Sequence, residues 1–316
     1  MNFTQLEYLK ELYVQGTFSS AAKRLHVTQP ALSLQIQKLE EELGFKLLDR
    51  TKRPLQFTEE GTFFYHKTIE ILKMVEELKQ ASFELSEEIK GNVQAGIIPT
   101  LSPYLVPLFI DELTHSYPGL QIEVSELKTE EIISKLKLGD LDCGILSTPV
   151  SASGVKFDPL FYERFYAYVS ENHRFFHQEK INVEELNEQE VWYLEEGNCF
   201  QNQVNSICKI NYQKQTEQNL VYRSSSIESL RRIVENKNGV TFIPELATIN
   251  IPSELEELIK EFSGEQPVRE ISLAVPKNYS KERQIAALKT VIVNSIPPRM
   301  LNKAKSWVVD TQLKIK

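Results

Sequence analysis

Phe18-Ser19-Ser20-Ala21-Ala22-Lys23-Arg24-Leu25-His26-Val27-Thr28-Gln29-Pro30-Ala31-Leu32-Ser33 decides how the front of this chain folds. Gly16-Thr17, just before it, stops one helix and starts another, with Thr17 as the cap and Ala21, Ala22 and Leu25 as apolar positions. His26-Val27 makes a tight turn. Thr28 then caps a further helix, with Pro30 in its first turn, where a missing N–H costs nothing. That helix carries Ala31, Leu32, Ile36, Leu39 and Leu43 on its buried side and stops at Gly44, a C′ glycine. Upstream, Phe3, Leu6, Leu9, Leu12 and Tyr13 share one face of an amphipathic first helix. Two short helices about a turn of this length form a helix-turn-helix over roughly 18–37.

The outward side of its second helix carries Thr28 at the start, then Gln29, Pro30, Ser33, Gln35 or Gln37, and Lys38. Small polar and amide groups placed this way suit a reader of the DNA major groove. Arg50-Thr51-Lys52-Arg53-Pro54, leading into Leu55-Gln56-Phe57-Thr58, reads as a wing whose cations Arg50, Lys52 and Arg53 meet phosphate or the minor groove. Residues 20–58 hold seven basic and four acidic side chains. Three of those acids, Glu40, Glu41 and Glu42, are expected at the far end of a helix, away from the wing. The chain as a whole carries a net charge of −8, which argues against unspecific nucleic-acid binding and leaves room for this local basic surface.

The 316 residues suffice for two or three cored domains, and composition is that of a soluble globular protein. The reading divides them into a DNA-binding head (1–58), a linking and dimerising helix (59–90) and an effector domain (91–316). No apolar run is long enough to span a bilayer, and the N-terminus lacks a signal peptide, so a cytoplasmic protein without membrane contact is expected.

From Thr58 one long helix begins, with Glu59 and Glu60 favourably placed in its first turn. Phe64, Thr68, Ile71, Val75, Leu78, Ser82, Leu85 and Ile89 step by alternating four and three residues, the pattern of a coiled-coil seam. Pairing two heads through that seam suits a DNA site with two-fold related half-sites.

After Lys90-Gly91 strands and helices alternate. Strands are expected over 93–98, 121–126, 143–146, 165–169, 191–194, 220–222, 239–243 and 271–275, with helices over 105–115, 130–138 and 227–237. This predicts an α/β design with a mainly parallel sheet and a cleft at the strands' carboxyl ends. Lobe I is placed at 92–162 plus 268–316 and lobe II at 163–267.

Three cysteines occur in the chain. Cys143 lies in an apolar strand and reads as a core thiol. Glu195-Glu196-Gly197-Asn198-Cys199 leads into a short helix capped by Asn198, with Cys199 in its first turn and Cys208 nine residues on. If the segment is helical throughout, nine steps of about 1.5 Å hold the two Cα atoms about 13 Å apart. A disulfide needs about 4.4–6.8 Å, so these thiols cannot bridge without unwinding the helix. A helix N-terminus favours the thiolate, whereas Glu195 and Glu196 oppose it. A cation is expected from elsewhere, from Arg223 or Arg231. The five histidines are dispersed, and neither a metal site nor a cofactor is expected.

The stretch quoted first, followed by Gln35-Ile36, Leu39-Glu40, Leu43-Gly44, Leu47-Leu48, Arg50 and Thr58-Glu59-Glu60-Gly61, resembles the winged head of LysR-type transcriptional regulators. Leu34 and Gln37 stand where many relatives carry Arg or Lys. Residues 92–300 resemble the two-lobed, periplasmic-binding-protein-like effector domain of the same family. Gly96-Ile97-Ile98-Pro99-Thr100, Tyr117-Pro118, Leu141-Asp142-Cys143, Ser226-Ile227-Glu228-Ser229-Leu230 and the spaced pair Cys199 and Cys208 resemble its peroxide-sensing members most.

That resemblance implies a peroxidatic Cys199, a resolving Cys208 and a peroxide pocket with Thr100, Thr129 and Asn198. It further implies a homodimer or homotetramer, RNA polymerase as a partner, a thioredoxin- or glutaredoxin-like reductant, and no enzyme activity. Asn198 replaces a frequent His and Val221 a polar residue, which implies slower reaction with peroxide. Two rival readings stand beside this one. In the first, a small anion or metabolite binds the cleft through Ser102, Ser147, Thr148 and Ser224-Ser225-Ser226, with both cysteines incidental. In the second, the chain is a thiol peroxidase bearing a DNA-binding head.

Overall fold

The computed structural model of the chain describes residues 1–52, 55–84, 88–194, 199–208, 224–302 and 307–315. They fall into two compact units, Met1–Leu85 and Ser86–Lys316.

The first unit opens with α1 (Phe3–Gln15), α2 (Phe18–Arg24) and α3 (Gln29–Leu43). Each start is fixed by a side-chain cap. Asn2 closes a capping box with Gln5, Thr17 accepts from the Ser20 amide, and Thr28 accepts from that of Ala31. Gly16 and Gly44 end α1 and α3 in left-handed conformation, at φ 66° and 78°. Leu9, Leu12, Ala21, Leu32, Ile36 and Leu39 form the buried core between the three helices. A two-stranded wing follows, β1 (Leu48–Asp49) antiparallel to β2 (Gln56–Phe57), and then α4 (Glu59–Glu84). Thr58 starts α4 by accepting from the Gly61 amide at 2.9 Å. Gly61 is required there, because a Cβ would lie 2.0 Å from the Leu47 carbonyl oxygen.

The second unit contains the strands β3 (Gly91–Ile97), β4 (Leu120–Glu126), β5 (Cys143–Thr148), β6 (Ser151–Ala152), β7 (Val155–Val169), β8 (Lys180–Ile181), β9 (Val240–Pro244), β10 (Ile259–Phe262), β11 (Pro267–Pro276), β12 (Trp307–Val308) and β13 (Lys314–Ile315). Its helices are α5 (Ser102–Ser116), α6 (Thr129–Leu138), α7 (Cys199–Cys208), α8 (Ile227–Asn236), α9 (Ser253–Glu256) and α10 (Glu282–Ser295). One path runs β4-β3-β5-β11-β7-β10-β8, with β12 on β11 and β9 on β7.

The expectation of a mainly parallel sheet fails. β3 pairs parallel with β4 and β5, whereas β11 is antiparallel to β5 and β7, and β7 is antiparallel to β9 and β10. The reason is that β7 and β11 are long strands joining two cores, and they meet the rest of the sheet from the opposite direction. One core gathers Val93, Phe109, Ile132, Leu146, Phe161, Ile271 and Leu288. The other gathers Phe165, Tyr168, Phe200, Leu230, Phe242 and Phe262. Two buried core residues cross the expected lobe division among the described residues: Leu246 packs in the first core and Val309 in the second. The strand expected at 191–194 reduces to a single bridge between Val191 and Val240. That expected at 220–222 lies outside the described residues.

Candidate functional site

On α3 the polar residues expected to read DNA fall mostly on its exposed side. Thr28, Gln29, Pro30, Gln37 and Lys38 are exposed and Ser33 is half-buried. The choice between Gln35 and Gln37 is settled by packing. Gln35 turns inward and accepts from Gln5 Nε2 at 3.4 Å, whereas Gln37 stays out, donating to Glu41 at 2.9 Å. Gln29 is held by Ser19, whose hydroxyl donates to it at 2.8 Å. Leu34, 51% exposed, adds an apolar patch to the same face.

The expectation that the three glutamates stay clear of the wing is wrong for Glu40. Its buried carboxylate accepts from the Leu47 and Leu48 amides at 2.9 and 3.3 Å and lies 3.4 Å from Lys46 and 3.5 Å from Arg50. It terminates the strand's stray amides, a task that demands an acceptor under the wing. Arg50 therefore divides its charge between Glu40 and solvent, with its guanidinium 5.6 Å from the Phe18 ring centroid. Lys52 is exposed, and Arg53 lies outside the described residues.

The α4 seam is only partly as expected. Ile71 and Leu78 are exposed, at 38% and 75%, and Val75 is half-buried. Phe64 instead packs against the head core, its ring 6.3 Å from that of Phe45. Ile89 has left the helix and packs on the first core of the second unit. Both moves bury apolar surface within the chain itself. Leu85 lies outside the described residues.

In the second unit α7 begins at Cys199 and ends at Cys208, so the expected separation of about 13 Å applies. No disulfide joins the three cysteines. Cys199 is 4% exposed and its Sγ lies 2.8 Å from Thr129 Oγ1, in the first turn of α6. Burial pushes the Cys199 thiol up to about 11, and Glu130 adds to that; the Thr129 hydrogen bond and the charge of Arg269 work against it. Position at a helix start therefore does not prevail over desolvation here. Cys143 is fully buried in β5 and pushed up to about 12 by the same cause.

The cation at the thiol is Arg269, on β11, and not the expected Arg231. Arg231 pairs with Glu228 at 2.8 Å and lies over the Tyr168 ring; Arg223 lies outside the described residues. Arg269 is wholly buried. Its Nε donates to Glu163 of β7 at 2.6 Å, its Nη1 to Thr100 Oγ1 at 3.0 Å and its Nη2 to the Thr100 carbonyl at 3.2 Å. The guanidinium also lies 5.1 Å from the ring centroid of Phe200, next to Cys199. Thr129 thus meets Cys199 directly, and Thr100 joins the group through Arg269. Asn198 and Val221 lie outside the described residues. Arg269 and Glu163 escaped sequence reasoning; the one available signal was a charged residue on each of two apolar strands.

Four hydroxyls expected to hold an anion are engaged within the fold. Ser147 donates to Gln203, Thr148 bonds Ser272 and Glu270, Ser224 accepts from the Ser226 amide, and Ser226 caps α8. Among the described residues no cluster of His, Cys, Asp and Glu is arranged to hold a metal ion, and no helix is long and apolar enough to cross a membrane.

Residues 3–62 match the family described as bacterial regulatory helix-turn-helix protein, lysR family, and residues 86–295 match the LysR substrate binding domain. The chain belongs to the LysR family, in its OxyR branch. Within that branch it is 36% identical over 250 residues to the hydrogen peroxide-inducible genes activator of Haemophilus influenzae, covering 79% of this chain and 82% of the relative. Against OxyR of Escherichia coli, a DNA-binding transcriptional dual regulator, identity is 34%, covering 78% and 80%. A full-length OxyR cysteine variant from Pseudomonas aeruginosa superposes with a TM-score of 0.74 at 28% identity, covering 92% of this chain and 94% of that one. Reduced OxyR from Porphyromonas gingivalis gives a TM-score of 0.62 at 31% identity, covering 68% and 98%. The OxyR likeness thus extends over the head, the long helix and the two-cored unit together.

Proposed function

We propose that this OxyR-type chain is a DNA-binding transcriptional regulator switched by hydrogen peroxide through Cys199 and Cys208. One observation carries the reading. A buried thiol is held 2.8 Å from the Thr129 hydroxyl and beside the Arg269 guanidinium, at the opposite end of one helix from a second thiol.

The Cys199 thiolate attacks one peroxide oxygen and the O–O bond breaks. The departing hydroxide takes a proton and leaves as water, and Cys199 becomes a sulfenic acid. Thr129 and Thr100 supply hydroxyls for the peroxide, and Arg269 supports the anionic sulfur. Cys208 then displaces the sulfenic oxygen as a second water and closes the disulfide. Two thiols are oxidised and one peroxide is reduced to two waters. Because the disulfide cannot span about 13 Å, α7 unwinds as it forms. Closing so short a loop constrains the chain by about 2–3 kcal/mol, enough to bias a two-state regulator.

Thr28, Gln29, Pro30, Ser33, Gln37 and Lys38 face base edges in the major groove, and Arg50, Lys52 and Arg53 meet the backbone. Ile71, Val75 and Leu78, with Leu85, pair two copies; two such dimers make the tetramer. The reaction is stoichiometric, in the cytoplasm, and is reset by a thioredoxin- or glutaredoxin-like reductant while RNA polymerase reads the switched state.

The deciding experiment treats the full-length protein with equimolar peroxide, maps its cysteine peptides and footprints operator DNA in both states. A Cys199–Cys208 link with a shifted footprint is expected, and Cys199→Ser abolishes both. A shifted footprint with Cys199 unmodified would end the proposal.

A further inference from the structure

The far end of the chain is tied to the redox helix. Residues 307–315 cross from one core toward the other: β12 adds to β11, Val309 is fully buried in the second core, and β13 pairs with β6 beside the first. Between them, three residues of α7 bond to this segment. Asn202 donates to the Thr311 carbonyl at 3.1 Å, Gln203 to the Val309 carbonyl at 2.8 Å, and Ser206 accepts from Gln312 at 2.9 Å. Gln203 is wholly buried and its other end accepts from Ser147. Thr311 is wholly buried too, and its hydroxyl donates to the Pro149 carbonyl in the turn after β5. Gln312 takes a left-handed conformation, φ 58°, which bends the segment over the helix.

These bonds exist only while α7 is wound. Asn202, Gln203 and Ser206 lie between the two thiols, within the stretch that disulfide formation must unwind. An amide buried as deeply as Gln203 loses its partner if the helix moves and the segment stays. Resting on the redox reading above, we propose that residues 307–315 are a latch on the reduced form, with Thr311 its positioning residue. Winding of α7 fastens the latch. Oxidation releases it, and the tension between the two sets how readily the disulfide forms. Thr311 touches neither thiol and acts through Asn202 and Pro149.

The test measures the Cys199–Cys208 midpoint potential of the full-length protein in a defined dithiol–disulfide buffer, reading fraction oxidised by thiol alkylation and mass. Thr311→Val removes the hydroxyl at constant shape. It is expected to shift the equilibrium about tenfold toward the disulfide, a potential about 30 mV more negative. Thr311→Ser restores the wild-type value, and Gln312→Ala shifts it in the same direction by less. In the wild type, amide exchange across 307–315 accelerates on oxidation. An equilibrium constant within twofold of wild type for Thr311→Val, or exchange in 307–315 that ignores oxidation, overturns the latch while leaving the redox reading intact. Absence of any Cys199–Cys208 disulfide overturns both.

Discussion

The reading helix α3 and the redox helix α7 begin alike, each with its key residues in or near the first turn, and are held in opposite ways. α3 is specified locally: Thr28 caps it, Pro30 sits in its first turn, Gly44 ends it, and its functional side is exposed. α7 is specified from a distance. Its thiol and its amides are buried, and their partners come from α6, β5 and residues 307–315. A helix fixed by its own caps is a rigid tool. One fixed by remote partners is stable only in company, and so can be undone by chemistry at a single sulfur.

Changing pH strains that contrast most. Only the thiolate attacks, and the Cys199 thiol is pushed up to about 11, so its thiolate fraction rises with pH throughout the neutral range. The rate of Cys199 oxidation should therefore climb about a hundredfold between pH 6.5 and 8.5, as followed by quenched-flow alkylation. A flat profile would mean that the site lowers the thiol before attack. Arg269→Met leaves the buried Glu163 without its cation, with the Leu246 amide still bonded to it at 3.1 Å. A loss of about 3–5 kcal/mol is expected, seen as a fall in the melting temperature of the second unit, and Glu163→Leu in the same chain should recover much of it. Thr129→Val removes the hydrogen bond that favours the thiolate and should slow oxidation about tenfold at pH 7. On the locally specified side, Thr28→Ala should cost about 1 kcal/mol of head stability, measured by urea unfolding, and leave the thiol rate unchanged. Smallest is Lys52→Ala, expected to reduce the slope of operator affinity against salt by about one.

The head was readable from sequence because its determinants are neighbours. Thr17, Thr28 and Gly44 act within four residues of themselves, and the structure has each where the sequence put it. Phe64 misled because a four-three spacing marks an apolar stripe without saying whether the stripe meets another chain or its own head. In the thiol site, the start of α7 at Cys199 followed from its residues and the place of Thr129 in the pocket from resemblance, whereas the Cys199–Thr129 contact and Arg269 followed from neither. Its partner Glu163 is 106 residues away, and only the antiparallel register of β7 and β11 brings the two together. Thr311 was equally invisible, since a threonine near a chain end signals nothing until its carbonyl is found against Asn202.

Glu40 has a consequence for how the head measures DNA. One sunken carboxylate holds the root of the wing to the back of α3, reaching two amides and two cations at once. The gap between groove reader and wing root is thereby set like the jaws of locked calipers. A binding site with altered spacing has to be met by shifting whole heads, because no single head can stretch to fit it.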